Sequence, residues 1–152
     1  MKLIDKYLSK EASTLYELVV EVHRTQVEMM NMTETVARSL GTTASRSVTL
    51  SVISGHSASI TVSEIARIMG VSRQNTQRTT DTLVENGLVE YLPNPHHRRA
   101  KLVSVTDQGR VLVEKLTQLG AEWFKDVADG LNHSENLAAL KTLHKLRAKI
   151  NE

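Results

Sequence analysis

The stretch Thr61-Val62-Ser63-Glu64-Ile65-Ala66-Arg67-Ile68-Met69-Gly70-Val71-Ser72-Arg73-Gln74-Asn75-Thr76-Gln77-Arg78 decides the fold. Thr61 and Glu64 have the spacing at which a hydroxyl and a carboxylate reciprocally satisfy free N–H groups at a helix start. Val62, Ile65, Ala66 and Met69 then recur at i, i+3, i+4 and i+7, marking one face of a short helix that Gly70 stops. Only Val71 separates Gly70 from Ser72, a second capping residue, and nothing breaks the next helix before Gly87. Two helices joined by so tight a glycine-containing turn form a helix-turn-helix. On the second helix Thr76, Thr79, Thr80 and Leu83 share one arc, and Arg73, Gln74, Gln77, Arg78 and Asp81 share the other.

Downstream, Leu88-Val89-Glu90-Tyr91-Leu92 and Ala100-Lys101-Leu102-Val103-Ser104-Val105 are β-prone runs flanking Pro93-Asn94-Pro95-His96-His97-Arg98-Arg99. This predicts a hairpin with a long basic tip, a wing, with Lys101 on its returning strand. Thr106 caps a helix carrying Leu112, Leu116, Leu119, Trp123 and Val127. Gly130 ends it, and Asn132-His133-Ser134-Glu135 has the pattern of another capping box, opening a last helix with Ala139, Leu143, Leu146 and Ile150 on one face.

Upstream, Ser59-Ile60-Thr61 is long enough only for a very short strand, after the turn Ser54-Gly55-His56-Ser57. Before it, Thr42 is placed to cap a helix bearing Val48, Val52 and Ile53. The row Leu8, Ala12, Leu15, Val19, Val22, Gln26, Met29, Thr33, Val36 and Leu40 alternates spacings of four and three on a breaker-free helix. Gln26 and Thr33 weaken that stripe and allow a division near Asn31. The expected fold class is mainly α with a small β-hairpin, a winged helix-turn-helix flanked by N- and C-terminal helices.

With 152 residues, 40% hydrophobic and 24% charged, the chain can bury a core as one compact subunit without staples. Cysteine is absent, which removes disulfides, thiolate metal sites and thiol chemistry. No segment approaches the roughly 20 apolar residues of a membrane span, and Met1-Lys2-Leu3-Ile4-Asp5-Lys6 breaks its apolar residues with charge, so no membrane partner and a cytoplasmic location are expected. Six scattered His, with no HExxH, phosphate loop or GxSxG, give no basis for an enzyme and no cofactor. A metal-responsive role would need His23, His56, His133 and His144 to converge with carboxylates; each is read first as an ordinary surface or core histidine, and no metal site is assigned.

Net charge is only +2, from 19 Lys and Arg against 17 Asp and Glu, so its distribution matters more than its sum. From Tyr91 to Lys101 the chain carries Arg98, Arg99 and Lys101 with His96 and His97 and no acidic residue. Major-groove base edges are read by paired donors and acceptors, Arg with guanine and Gln or Asn with adenine. Ser72, Arg73, Gln74, Asn75, Gln77 and Arg78 concentrate such groups in the N-terminal half of the second helix, the half that faces bases in a helix-turn-helix. A solvated polar face is the plain alternative, but position after the tight turn and the wealth of amides and guanidiniums favour base reading. Arg98 and Arg99 are candidates for the minor groove or phosphates, Lys101 for backbone charge, and His97 is a weaker candidate.

Thr61 to Arg67, Val71 to Asn75, Leu83 to Val89, Asn94 to Val103 and Thr106 to Gly109, in that order, resemble the MarR family of bacterial transcriptional regulators, and the helical flanks extend the resemblance over nearly the whole chain. The resemblance implies a homodimer held by residues 1–40 and 107–152, with 42–106 as the DNA-binding lobe. It implies a double-stranded, pseudo-palindromic operator and control by a small-molecule effector, as in a ligand-responsive repressor. It makes Ser72, Arg73, Gln74, Asn75, Gln77 and Arg78 the recognition contacts and Arg98 the wing-tip arginine. Where many members carry an acidic residue before the arginine pair, His97 stands here. The family's effector pocket makes the surroundings of His23, Met29, Met30 and Trp123 candidate linings, against ordinary packing for each. A winged-helix protein-interaction module or a metal-responsive regulator is the alternative function.

Overall fold

The structure, a computed structural model, describes residues 6–97 and 99–151. Its elements run α1 (Lys10–Ser39), α2 (Ala44–Ser54), β1 (Ile60–Thr61), α3 (Val62–Met69), α4 (Arg73–Glu85), β2 (Val89–Leu92), β3 (Leu102–Val105), α5 (Asp107–Ala128) and α6 (His133–Ile150). The strands form an antiparallel sheet ordered β1-β3-β2, with Ile60 opposite Val103 and Val89 opposite Val105. The mainly helical winged-helix architecture expected from the sequence is the one observed.

Packing divides the chain into two units, one ending at Leu116 and one beginning at Thr117. The first has a core of Leu50, Ile53, Ile60, Val62, Ile65, Leu83, Leu88, Val89, Val103 and Val105, drawn from α2, the sheet, α3 and α4. Close packing extends to Gly109 on α5, where a Cβ would overlap the Leu88 carbonyl oxygen and the Val105 side chain. The second unit holds the rest of α5 and α6, and no residue of α6 is buried.

Four local expectations change. The first helix does not divide near Asn31: α1 is continuous over 30 residues, because its only buried residue is Ala37 and polar side chains such as Gln26 therefore cost it nothing in desolvation. Thr43, not Thr42, caps α2 by accepting from the Arg46 N–H, while Thr42 is buried with its N–H bonded to the Ala37 carbonyl. On α2 the inward face is Ala44, Ser47, Thr49, Leu50 and Ile53, and Val48 is exposed. At α6, Asn132 accepts from the Ser134 N–H and hydroxyl, an Asx cap rather than a reciprocal Glu135 box.

Candidate nucleic-acid interface

The helix-turn-helix is fixed by caps at each end. Thr61 Oγ1 accepts from the Glu64 N–H and the Glu64 carboxylate accepts from the Thr61 N–H at 2.8 Å, the reciprocal box expected. That backbone donor, followed by the Thr61 hydroxyl, holds the Glu64 carboxyl below its ordinary range. Gly70, at φ 66°, takes the left-handed conformation that lets the Val71 N–H reach the Ala66 carbonyl at 3.1 Å. Ser72 Oγ then accepts from the Asn75 N–H at 3.2 Å and starts α4.

The inner face of α4 is Thr76, Thr80 and Leu83, all buried, with Thr79 half-buried. Thr76 and Thr80 donate their hydroxyls to the carbonyls of Ser72 and Thr76, which permits polar residues in a dry seam. Arg73, Gln74, Asn75 and Arg78 are consequently exposed on the outer face, with Arg78 touching the Asn75 amide oxygen at 3.4 Å. Among the described residues, every ion pair lies away from this face (Glu21 with Arg24, Glu34 with Arg38, Asp107 with Arg110), so Arg73, Arg78, Arg99 and Lys101 meet no carboxylate. Their positive field is uncancelled by local pairing.

Gln77 differs from its neighbours in being half-buried. Its Nε2 donates to Asp81 Oδ1 at 2.9 Å and to the Tyr91 hydroxyl at 2.7 Å, and that hydroxyl donates to the same Asp81 oxygen at 2.7 Å. Burial first, then the bond to Asp81, pushes the Tyr91 phenol up to about 12. Lys101 Nζ stands 5.4 Å from the centre of the Tyr91 ring, a cation over an aromatic face. The helix α4 and the wing are thus joined by one cluster, Gln77, Asp81, Tyr91 and Lys101. Sequence reasoning missed Tyr91 and gave Asp81 no role; the four-residue step from Gln77 to Asp81 was the available signal.

The wing tip spans the residues between Leu92 and Leu102, and Lys101 precedes β3 rather than lying within it. The Asn94 side chain accepts from the His96 N–H at 3.0 Å, its carbonyl from the His97 N–H at 3.3 Å, and the His97 carbonyl from the Ala100 N–H at 3.2 Å. An Asx turn therefore shapes a loop in which His97 supplies no carboxylate. Arg99 is exposed and, with Arg73, Gln77 and Lys101, lines a groove of about 280 Å³ between α4 and the wing. Arg98, the expected wing-tip arginine, lies outside the described residues.

A family model described as the MarR family matches residues 40–100. An uncharacterized protein of Mycobacterium tuberculosis is 32% identical over 129 residues, covering 85% of this chain and 89% of its own. The multiple antibiotic resistance protein MarR of Escherichia coli is 35% identical over 89 residues, 58% of this chain and 61% of that one. The crystal structure of a mutant MarR from E. coli complexed with operator DNA matches with TM-score 0.72 and 26% identity, over 93% of this chain and 99% of that one. The chain belongs to the MarR family. In this MarR-family chain the matched residues run from the end of α1 through the helix-turn-helix into the wing.

Among the described residues no helix is long and apolar enough to cross a membrane, and no three His, Asp or Glu side chains converge. His23 is exposed with its Nδ1 on the Val19 carbonyl, Met29 and Met30 are exposed, and Trp123 packs edge-on against Phe124.

Proposed function

We propose that this chain is a sequence-specific DNA-binding transcriptional regulator that acts in the cytoplasm as a homodimer on a pseudo-palindromic operator. The observation that carries the reading is the outer face of α4, where Arg73, Gln74, Asn75 and Arg78 stand exposed and unpaired with any described carboxylate beside the cationic wing. The operator-DNA complex of the related E. coli protein supports the same reading. Residues 42–106 are the DNA-binding lobe in this proposal, and 1–40 with 107–152 the dimerisation region. Ser72, Arg73, Gln74, Asn75, Gln77 and Arg78 read bases, while Arg98, Arg99 and Lys101, with His97 beside them, meet the DNA backbone or minor groove.

Dimerisation is supported by what the single chain leaves uncovered. Leu15, Val22, Val27 and Met30 on α1, and Phe124, Val127, Leu137 and Leu140 on α5 and α6, are exposed large apolar residues. Helices in water draw most of their stability from burying such faces. Control by a small effector, and repression released by it, complete the proposal. Within the first unit a cavity of about 350 Å³ is lined by Arg46 and Lys115, the polar Thr42, Asn86 and Gln108, and the apolar Leu40, Leu88, Val111 and Leu112, a mixture that suits a small anion.

Selection of bound sites from random duplexes tests the reading. A two-fold site with half-sites about 10 bp apart is expected. Arg98→Ala should weaken binding to all sequences and lower the salt slope by about one, whereas Arg73→Ala should relax base preference. No enriched site, or no change in affinity with either variant, would overturn it.

A further inference from the structure

The Gln77 side chain has a fixed polarity, and the chemistry of its neighbours sets it. The Asp81 carboxylate is an acceptor, so the group 2.9 Å from its Oδ1 is the amide nitrogen of Gln77 and not the oxygen. The Tyr91 O–H is spent on that same carboxylate at 2.7 Å, so toward Gln77 the phenol oxygen can only accept as well, again from the amide nitrogen, at 2.7 Å. If the amide turned over, its oxygen would face Asp81 Oδ1, and the phenol could keep its contact with Gln77 only by withdrawing its proton from Asp81. Among the described residues Gln77 Oε1 has no hydrogen-bond partner, and the side chain lines the groove between α4 and the wing with Arg73, Arg99 and Lys101.

We propose that Gln77 is a specificity-determining residue that offers the groove its amide oxygen alone, reading a base amino group and rejecting a keto oxygen, with Asp81 and Tyr91 as the positioning residues that lock it. In the major groove adenine N6 and cytosine N4 are amino donors, whereas guanine O6 and thymine O4 are acceptors that would face Oε1 with no proton between them. A freely turning glutamine could suit either class. Here the turn costs two hydrogen bonds, one of them to a charged group. The phenol keeps its proton up to about pH 12, so the lock holds at every physiological pH.

The inference rests on the DNA-binding reading, and one set of measurements separates the two. The selected site of the wild type is compared with that of Gln77→Ala, and the position whose preference changes is the one Gln77 faces. Each base pair shows one amino group and one keto oxygen in the major groove, so the group that Gln77 reads is found by removing these groups one at a time. Replacing an adenine there with purine, which lacks only the amino group, should weaken wild-type binding roughly fivefold to tenfold, the weight of one hydrogen bond, and leave Gln77→Ala unaffected. Tyr91→Phe, which keeps the ring, should broaden the preference at that position and lessen the cost of removing the amino group. Asp81→Asn should do so further, because its amide can donate to Oε1 and turn the nitrogen outward. The other positions and the salt slope should stay put in both variants. An enriched site at which loss of the amino group of the Gln77-dependent base pair costs the wild type nothing, or whose preference Tyr91→Phe and Asp81→Asn leave unchanged, overturns the inference while DNA binding stands. No enriched site for the wild type overturns both.

Discussion

At the scale of a single residue, Tyr91 shows how a strand side chain serves a helix it follows in sequence. Its ring is half-buried against α4 and its hydroxyl closes a three-way contact with Gln77 and Asp81. Its folded-state pKa is raised from 10.0 to about 12, so the protonated form is favoured by folding. The resulting stabilisation is fully present below the unfolded value near 10 and is lost as pH rises through about 12. The phenolate absorbance titration of the wild type minus that of Tyr91→Phe should therefore reveal one group ionising well above the ordinary tyrosine value. A difference curve centred near 10 would show that Tyr91 is neither buried nor bonded to Asp81 in solution. The sign is opposite for Glu64 and Glu34, held low chiefly by the backbone N–H groups of Thr61 and Ala44: their contribution is present above about 4.5 and fades as pH falls through their lower folded values.

At the scale of elements, α5 starts against the base of the wing. Thr106 Oγ1 donates to the Gly87 carbonyl at 2.7 Å and accepts from the Gly109 N–H at 3.1 Å, while Gly109 leaves no room for a side chain beneath Leu88. Gly109→Ala should accordingly destabilise the fold by about 1–3 kcal/mol, the usual cost of overpacking a filled site. Urea unfolding is the measurement, and a change within about 0.5 kcal/mol would mean that α5 can shift freely. The helix-turn-helix was legible in the sequence because its signals are local: the Thr61–Glu64 box, the Gly70 stop and the Ser72 cap each act within four residues. The continuity of α1 was not, since Gln26 and Thr33 read as flaws only if that face is buried. Neither was the choice of Thr43 over Thr42, two like residues distinguished by burial against the end of α1. The face of α4 could be listed residue by residue, but the lock on Gln77 joins residues fourteen apart across a helix and a strand. Periodicity carries no information about such a contact.

For the whole molecule, the telling quantity is apolar surface left in water. Phe124 is 54% exposed, Leu137 43% and Leu140 48%, and no residue of α6 is buried within its own chain, with Leu143 and Leu146 half-buried. A monomer would leave most of the apolar face of α6 unpacked, and packing of that face is where a helix in a protein draws most of its stability. Sedimentation should accordingly find a dimer whose melting temperature rises with protein concentration. Leu137→Lys with Leu140→Lys should produce a monomer with less helix by circular dichroism and the core of the first unit intact. A wild-type monomer with a concentration-independent melt would remove dimerisation from the proposal.

The wing loop also has a consequence for handling the protein. Arg99 and Lys101 are exposed in a segment shaped by three hydrogen bonds, while β2 and β3 on either side are paired residue for residue from Leu92 and Leu102 to Val89 and Val105. Trypsin, which cuts after Arg and Lys, should nick this loop first and leave two fragments clasped by the strand ladder. Bound duplex would shield the same bond, so the lag before the nick reports wing occupancy without any label on protein or DNA.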